Sequence, residues 1–211
     1  MPPMREQRRL NKRQKRDAGM AALLFDETTS DVKLTFDDGS SLFAHRAILA
    51  SRSPVLKNLL FGSMRESGQP TVKLAGIESA AMHCLCRSIY CGGFGDALDL
   101  KEGKADLALH VAKAADQYQL DVTEDLEELI EDNMEVPEYL AVLKALPDVE
   151  LGPMLMVVKL SSIAKVADNL EDCSNEALAR IPSRLLVEIL RHPEKVEWGG
   201  SAAASGAGGE S

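Results

Sequence analysis

The sequence predicts an α+β fold in which a small β-sheet is flanked by a cluster of α-helices and followed by an all-helical extension. Three observations carry this. Val32, Leu34 and Phe36 alternate with Lys33 and Thr35, turn at Asp38-Gly39 and resume at Leu42-Phe43-Ala44, the pattern of a β-hairpin. Directly behind it, at 45–50 and 54–61, the apolar spacing changes to the helical period. From Val136 onward every apolar-periodic segment reads as helix.

Taken in order, residues 1–20 form a basic arm that the sequence predicts to be disordered. Residues 1–16 hold seven basic side chains against one acid, a local +6 within a net charge of −9, so the remainder carries −15. Within the arm, Lys12, Arg13, Lys15 and Arg16 have the look of a nuclear-localisation or nucleic-acid patch; a solvated charged tail, or a short helix running into Ala21-Ala22-Leu23-Leu24, accounts for the same residues. After the hairpin, Ser53-Pro54 marks a helix start, because serine caps orphan N–H groups and proline at the first helical position loses no hydrogen bond. A strand is expected at 71–74. A helix at 79–91 follows, with Met82, Leu85, Cys86, Ile89 and Tyr90 on one broad face and Gly92 as its stop.

Residues 92–104 read as a glycine-bearing connection with a short strand at 97–100. Helical spacing returns at 107–118, where Leu107, Ala108, Val111, Ala112, Ala115 and Tyr118 form the buried side. Thr123 is expected to cap a helix carrying Glu124 and Asp125 in its first turn, where the dipole favours acids, and Leu126, Leu129, Ile130 and Met134 inward. Further helices are expected at 138–146, 154–170, 175–179 and 182–191, punctuated by Pro147, Gly152-Pro153, Pro182 and His192-Pro193. Residues 197–211 are a Gly/Ala/Ser tail too poor in apolar area to offset the entropy of ordering.

Composition narrows the class. With 211 residues, 45% hydrophobic and 27% charged, the chain can hold one full core, or one domain and a smaller companion. No apolar run approaches the roughly 20 residues of a membrane-spanning helix, so no membrane partner is expected, and 1–16 has no apolar core of the secretory-signal kind. The acidic body repels a phosphate backbone, which leaves only the arm as a nucleic-acid candidate. Cys84, Cys86, Cys91 and Cys173 fit neither a disulfide framework nor a zinc pattern, and read as reduced, half-buried thiols with Cys84 and Cys86 on different sides of their helix. There is no P-loop and no nucleophile elbow. The acidic positions from Glu124 to Asp132 read as a solvated face. No enzyme, metal or cofactor is predicted.

The run Asp31-Val32-x-Leu34, Phe43-Ala44-His45-Arg46-x-Ile48-Leu49-Ala50, Ser53-Pro54-Val55-Leu56 and Met64-x-Glu66 closely resembles the opening half of a BTB/POZ domain. Tyr90-Cys91-Gly92 and Ala114-Ala115-Asp116-Gln117-Tyr118-Gln119-Leu120 resemble that family's later helices, and 178–190, with Ile181-Pro182-x-x-Leu185-Leu186, resembles the end of a truncated BACK domain. The implied division is a BTB/POZ domain at 21–132 and a BACK-like helical segment at 133–196.

The resemblance also implies a function. BTB/POZ domains homodimerise and bind other proteins, and the adaptors of cullin-3 ubiquitin ligases carry a hydrophobic-x-Glu motif that Met64 and Glu66 match. An exposed methionine is an adaptable apolar anchor, and the glutamate adds a charge-assisted contact. Asp31 and Arg46 match the residues of a charged pocket near the family's dimer groove; equally, the two simply pair and anchor hairpin to helix. The expected role is a homodimeric, substrate-specific cullin-3 adaptor acting in the nucleus or cytoplasm. The alternative is a nuclear scaffold or transcriptional co-regulator that uses the dimer groove without cullin. No Kelch-like or ankyrin-like repeat is visible, so the protein substrate stays unnamed.

Overall fold

The computed structural model describes residues 18–62, 68–95, 103–147 and 150–192. The sequence-predicted arm up to residue 17, Met64, Glu66, the strand at 97–100 and the tail lie outside them.

The hairpin is present as β1 (Val32–Thr35) and β2 (Ser41–Ala44), with Lys33 opposite Phe43 and Leu34 opposite Leu42. Val32, Leu34 and Phe36 are buried, while the Lys33 ammonium lies 5.4 Å from the centre of the Phe43 ring on the other face. Gly39, at φ 82°, makes the turn, a conformation that glycine adopts without a Cβ clash. β3 (Thr71–Lys73) then pairs parallel to β1, giving the sheet order β2-β1-β3. A parallel neighbour needs a crossover, and α2 (Arg46–Arg52) with α3 (Pro54–Phe61) supplies it. Ser53 caps α3 as its sequence predicts: its Oγ accepts from the Leu56 N–H at 2.9 Å and donates to the Tyr118 carbonyl at 2.5 Å.

A short helix, α1 (Ala18–Ala22), precedes the hairpin and packs on α4 (Ser79–Cys91); it begins within the stretch read as the arm. α4 buries eight of its thirteen residues. It is flanked by α2 and α5 (Lys104–Tyr118) and ends at Gly92, left-handed at φ 85°. Because neighbours surround it, both Cys84 and Cys86 are buried, which corrects their reading as half-buried thiols. Burial disfavours the thiolate, and the two thiols are pushed up to about 11 and about 12.

α6 (Thr123–Asn133) buries Leu126, Leu129 and Ile130 as its period requires. Its cap differs from expectation. Val122 occupies the cap position and Thr123 is the first helical residue; the Asp121 carboxylate accepts the Thr123 N–H at 3.1 Å. The acidic face is not wholly solvated either, since half-buried Asp125 accepts from the Ser88 hydroxyl on α4.

The remaining helices are α7 (Val136–Ala145), opened by a Glu135/Glu138 capping box, α8 (Pro153–Asp168), the single turn α9 (Asn175–Leu178) and α10 (Ser183–Leu190), with a 3-10 turn at Leu170–Asp172. They are not a separate layer. α8 lies against α5, α6 and α7, and α10 lies on α8. Leu143, Val158, Val166 and Ile189 therefore join the same core as Leu34 and Leu85.

α8 is fastened by a contact its own sequence does not announce. Its N-terminus has no local side-chain cap, and Asp116 of α5 takes that place: the carboxylate accepts the Met154 N–H at 2.8 Å and the Leu155 N–H at 3.1 Å. A Cβ at position 152 would stand 2.3 Å from the Asp116 carboxylate, so Gly152 is what lets α5 approach.

Candidate interaction surface

Asp31 and Arg46 come together where the hairpin meets α2. Arg46 is buried at 7% exposure, and a buried guanidinium must find acceptors or lose several kcal/mol of solvation, to order of magnitude. It finds three carbonyls. Nη1 donates to Leu60 O at 2.9 Å, Nη2 donates to Gln69 O, and Nε lies 3.4 Å from Asp31 O. The Asp31 carboxylate accepts instead from the Arg46 backbone N–H at 2.8 Å, capping α2 in place of His45, whose side chain does not. What joins the two residues is main-chain bonding.

The carbonyls that Arg46 holds have a consequence for the surface. Leu60 lies at the end of α3 and Gln69 lies just before β3, so one side chain fixes both ends of the connection that carries Met64 and Glu66 in the sequence. Met64 and Glu66 themselves lie outside the described residues. Three residues before Met64 in the sequence, Phe61, the last residue of α3, stands 55% exposed. The sequence reading passed over Phe61. Its signal was available, because Leu56, Leu59 and Leu60 define the inward side of α3 and position 61 falls off it.

A second polar chain stiffens the same junction from the other side. Tyr90 Oη accepts from the His45 backbone N–H at 2.9 Å and lies 3.1 Å from His45 Nδ1. His45 Nε2 lies 3.1 Å from Thr29 Oγ1, and Thr29 donates to Asp26 at 2.6 Å. The single Thr29 proton goes to Asp26, so the contact between Nε2 and Thr29 puts a hydrogen on Nε2. The bonds from Thr28 and Thr29 hold Asp26 below the usual carboxylate range, and burial pushes Tyr90 up to about 12, so neither group is poised to exchange protons near neutrality.

Among the described residues no group of three or more His, Cys, Asp or Glu side chains is placed to hold a metal ion, and no helix is long and apolar enough to cross a membrane. His83 is half-buried, stacked on Phe25 with ring centres 4.6 Å apart. The surface has the means for binding, an exposed aromatic at the end of α3, next in sequence to the Leu60 carbonyl that Arg46 holds.

A family model described as the BTB/POZ domain matches residues 21–134. Among curated proteins, the chain is 34% identical over 124 residues to BTB/POZ domain-containing protein 9 of Drosophila melanogaster, a stretch covering 59% of this chain and 16% of that protein. It is 32% identical over 68 residues to Kelch repeat and BTB domain-containing protein 8 of Danio rerio, covering 32% of this chain and 11% of that protein. The aligned stretches thus span a sixth or less of either relative.

Proposed function

Since the chain belongs to the BTB/POZ domain family and is a protein-interaction module, we propose that it acts as a homodimeric, substrate-specific adaptor of a cullin-3 ubiquitin ligase. What supports this is the motif Met64-x-Glu66, which in the sequence falls between α3 and β3, the two elements whose facing ends Arg46 holds, and follows exposed Phe61. A pinned connection loses less entropy when it docks than a free one. The helices after residue 134, packed against α5 and α6, extend the body that would meet cullin. The mechanism is apposition: one face holds cullin, another holds a substrate, and a dimer presents two ligase arms so that avidity raises the effective concentration.

Light scattering of the purified protein alone and with the N-terminal domain of cullin-3 tests this. The expected results are a dimer of about 46 kDa, twice 22.9 kDa, and a 2:2 complex. Met64→Ala with Glu66→Ala should weaken the complex by roughly 2 kcal/mol or more and leave the dimer intact, as loss of two anchors would. A dimer indifferent to cullin removes the adaptor reading and favours the scaffold or co-regulator.

A further inference from the structure

Four of the five large hydrophobic side chains that stand exposed among the described residues lie on two helices in contact, Met156 and Leu160 on α8 and Val187 and Leu190 on α10. The first pair is four apart and the second three, so each forms a stripe along its own helix. Where the face meets the end of α7 there is a cleft of about 320 Å³, with Leu151, Met156 and Leu185 as its apolar surface. Met156 belongs to both, so the cleft opens onto the α8 stripe. The cleft is at the small end of the roughly 300–1,000 Å³ of ligand pockets, a size that suits an inserted side chain better than a cofactor. A thioether in its wall adapts to the shape of what enters.

Size and charge say what covers this face. A stable interface between two copies uses roughly 20–30 residues a side, whereas this patch offers two short stripes and one cleft, the scale of a short segment of another protein. The chain carries a net charge of −9, yet the exposed positions of α10 and its cap hold Arg184 and Arg191 and no acid. Glu188, the acid of α10, is half-buried and held by Lys159 of α8 at 2.8 Å, and Glu150 is the one carboxylate of the described cleft lining. A second copy docked two-fold on this face would set arginines against arginines, a repulsion that an acidic partner avoids.

We propose that the α8/α10 face is where this module captures its protein substrate, and that the captured segment is short, apolar and acidic. One large apolar side chain enters the cleft, neighbouring apolar residues cover Leu160, Val187 and Leu190, and flanking carboxylates lie against Arg184 and Arg191. That the segment belongs to a ligase substrate rests on the adaptor reading; the face and the class of segment it takes do not.

Selection of short random peptides displayed on phage against the full chain, followed by fluorescence anisotropy with the enriched peptides, tests this. The enriched sequences should combine a large apolar residue with acids. Met156→Asp, at a position already 37% exposed, should weaken their binding about tenfold or more, and Arg184→Glu with Arg191→Glu should weaken it about tenfold. Far-UV circular dichroism and binding of the cullin-3 N-terminal domain should stay as in the wild type. Leu190→Ser, at 63% exposure, serves if Met156→Asp fails to fold. No enrichment, enrichment of basic or uncharged peptides, or binding that survives all of these variants overturns the proposal. So does concentration-dependent self-association that Leu190→Ser abolishes, which gives the face to a second copy. A chain that takes acidic apolar peptides and ignores cullin keeps this site and loses the adaptor reading, while one that binds cullin and takes no such peptide loses the site alone.

Discussion

The Arg46 junction and the Asp116 junction solve the same problem with opposite charges and different access to water. Each joins elements distant in sequence by giving backbone groups a charged partner. Arg46, at 7% exposure, satisfies carbonyls at the end of α3 and before β3. Asp116, half-buried, satisfies two N–H groups at the start of α8. Where water can replace a lost partner the loss is small; where it cannot, the orphaned groups bear their full desolvation penalty. Burial, more than the number of bonds, should therefore rank these contacts.

The sharpest way to break that ranking is Arg46→Ala. It leaves the Leu60 and Gln69 carbonyls without their buried donor, and a loss of about 3 kcal/mol or more is expected in urea unfolding. Arg46→Lys, with one compact donor in place of a fork, should recover only part of it. If Arg46→Ala is no worse than loss of the Asp116 cap, burial is not what separates the two sites.

Asp116→Ala should lower stability by about 1–2 kcal/mol, the usual size of a lost helix cap. Gly152→Ala should lower it by a similar amount for a steric reason, since the new Cβ displaces the carboxylate. Both changes remove one interaction, so the double variant should cost about as much as either single one; additive losses in the cycle would separate the glycine from the cap.

Thiol reactivity sharpens the comparison by asking what each junction holds shut. In the native protein at pH 8, Cys84 and Cys86 should resist an aromatic disulfide reagent while half-buried Cys91 and Cys173 react. The first pair is buried, and its thiols are pushed up to about 11 and about 12, so the attacking thiolate is scarce. Arg46→Ala should speed labelling of Cys84 and Cys86, because α2 packs on α4. Asp116→Ala should leave their rates nearly unchanged.

The two junctions also differ in how well the sequence announces them. Asp31 and Arg46 stand out because they fall in an ordered run of residues that resembles a known domain, although that run leaves open whether the side chains pair. The structure answers with backbone partners that no residue pattern specifies. Asp116 sits in a run that was equally recognisable, yet its partner is 38 residues away, and Gly152-Pro153 reads only as a helix start. Local periodicity places α3, α4, α5 and α8 and their buried faces well, because a face repeats along the chain. Caps borrowed across the fold do not repeat, and the burial of Cys84 depends on how many neighbours surround α4, which no single helix encodes.

A third anchor extends the series to full exposure. In the hairpin turn, the Asp37 carboxylate accepts from the Gly76 N–H at 2.7 Å and pairs with Lys73 at 2.9 Å, and Asp38 accepts from Ser40 Oγ at 2.5 Å and from Ser79 Oγ at 2.6 Å. These bonds hold both carboxyls below their ordinary value of 3.8. A lowered folded value means that the unfolded chain binds protons first on acidification, so the stability these groups add is present above 3.8 and is lost as pH falls through the folded values. Asp37→Asn with Asp38→Asn should therefore flatten the acid limb of the stability profile below that pH and change the melting temperature at pH 7 least of all the variants. The bonds here are as short as those at Arg46, and water reaches them. A loss at neutral pH as large as that of Asp116→Ala would mean that the turn's geometry, rather than its solvent access, sets its worth, and the burial ranking would fail at its exposed end.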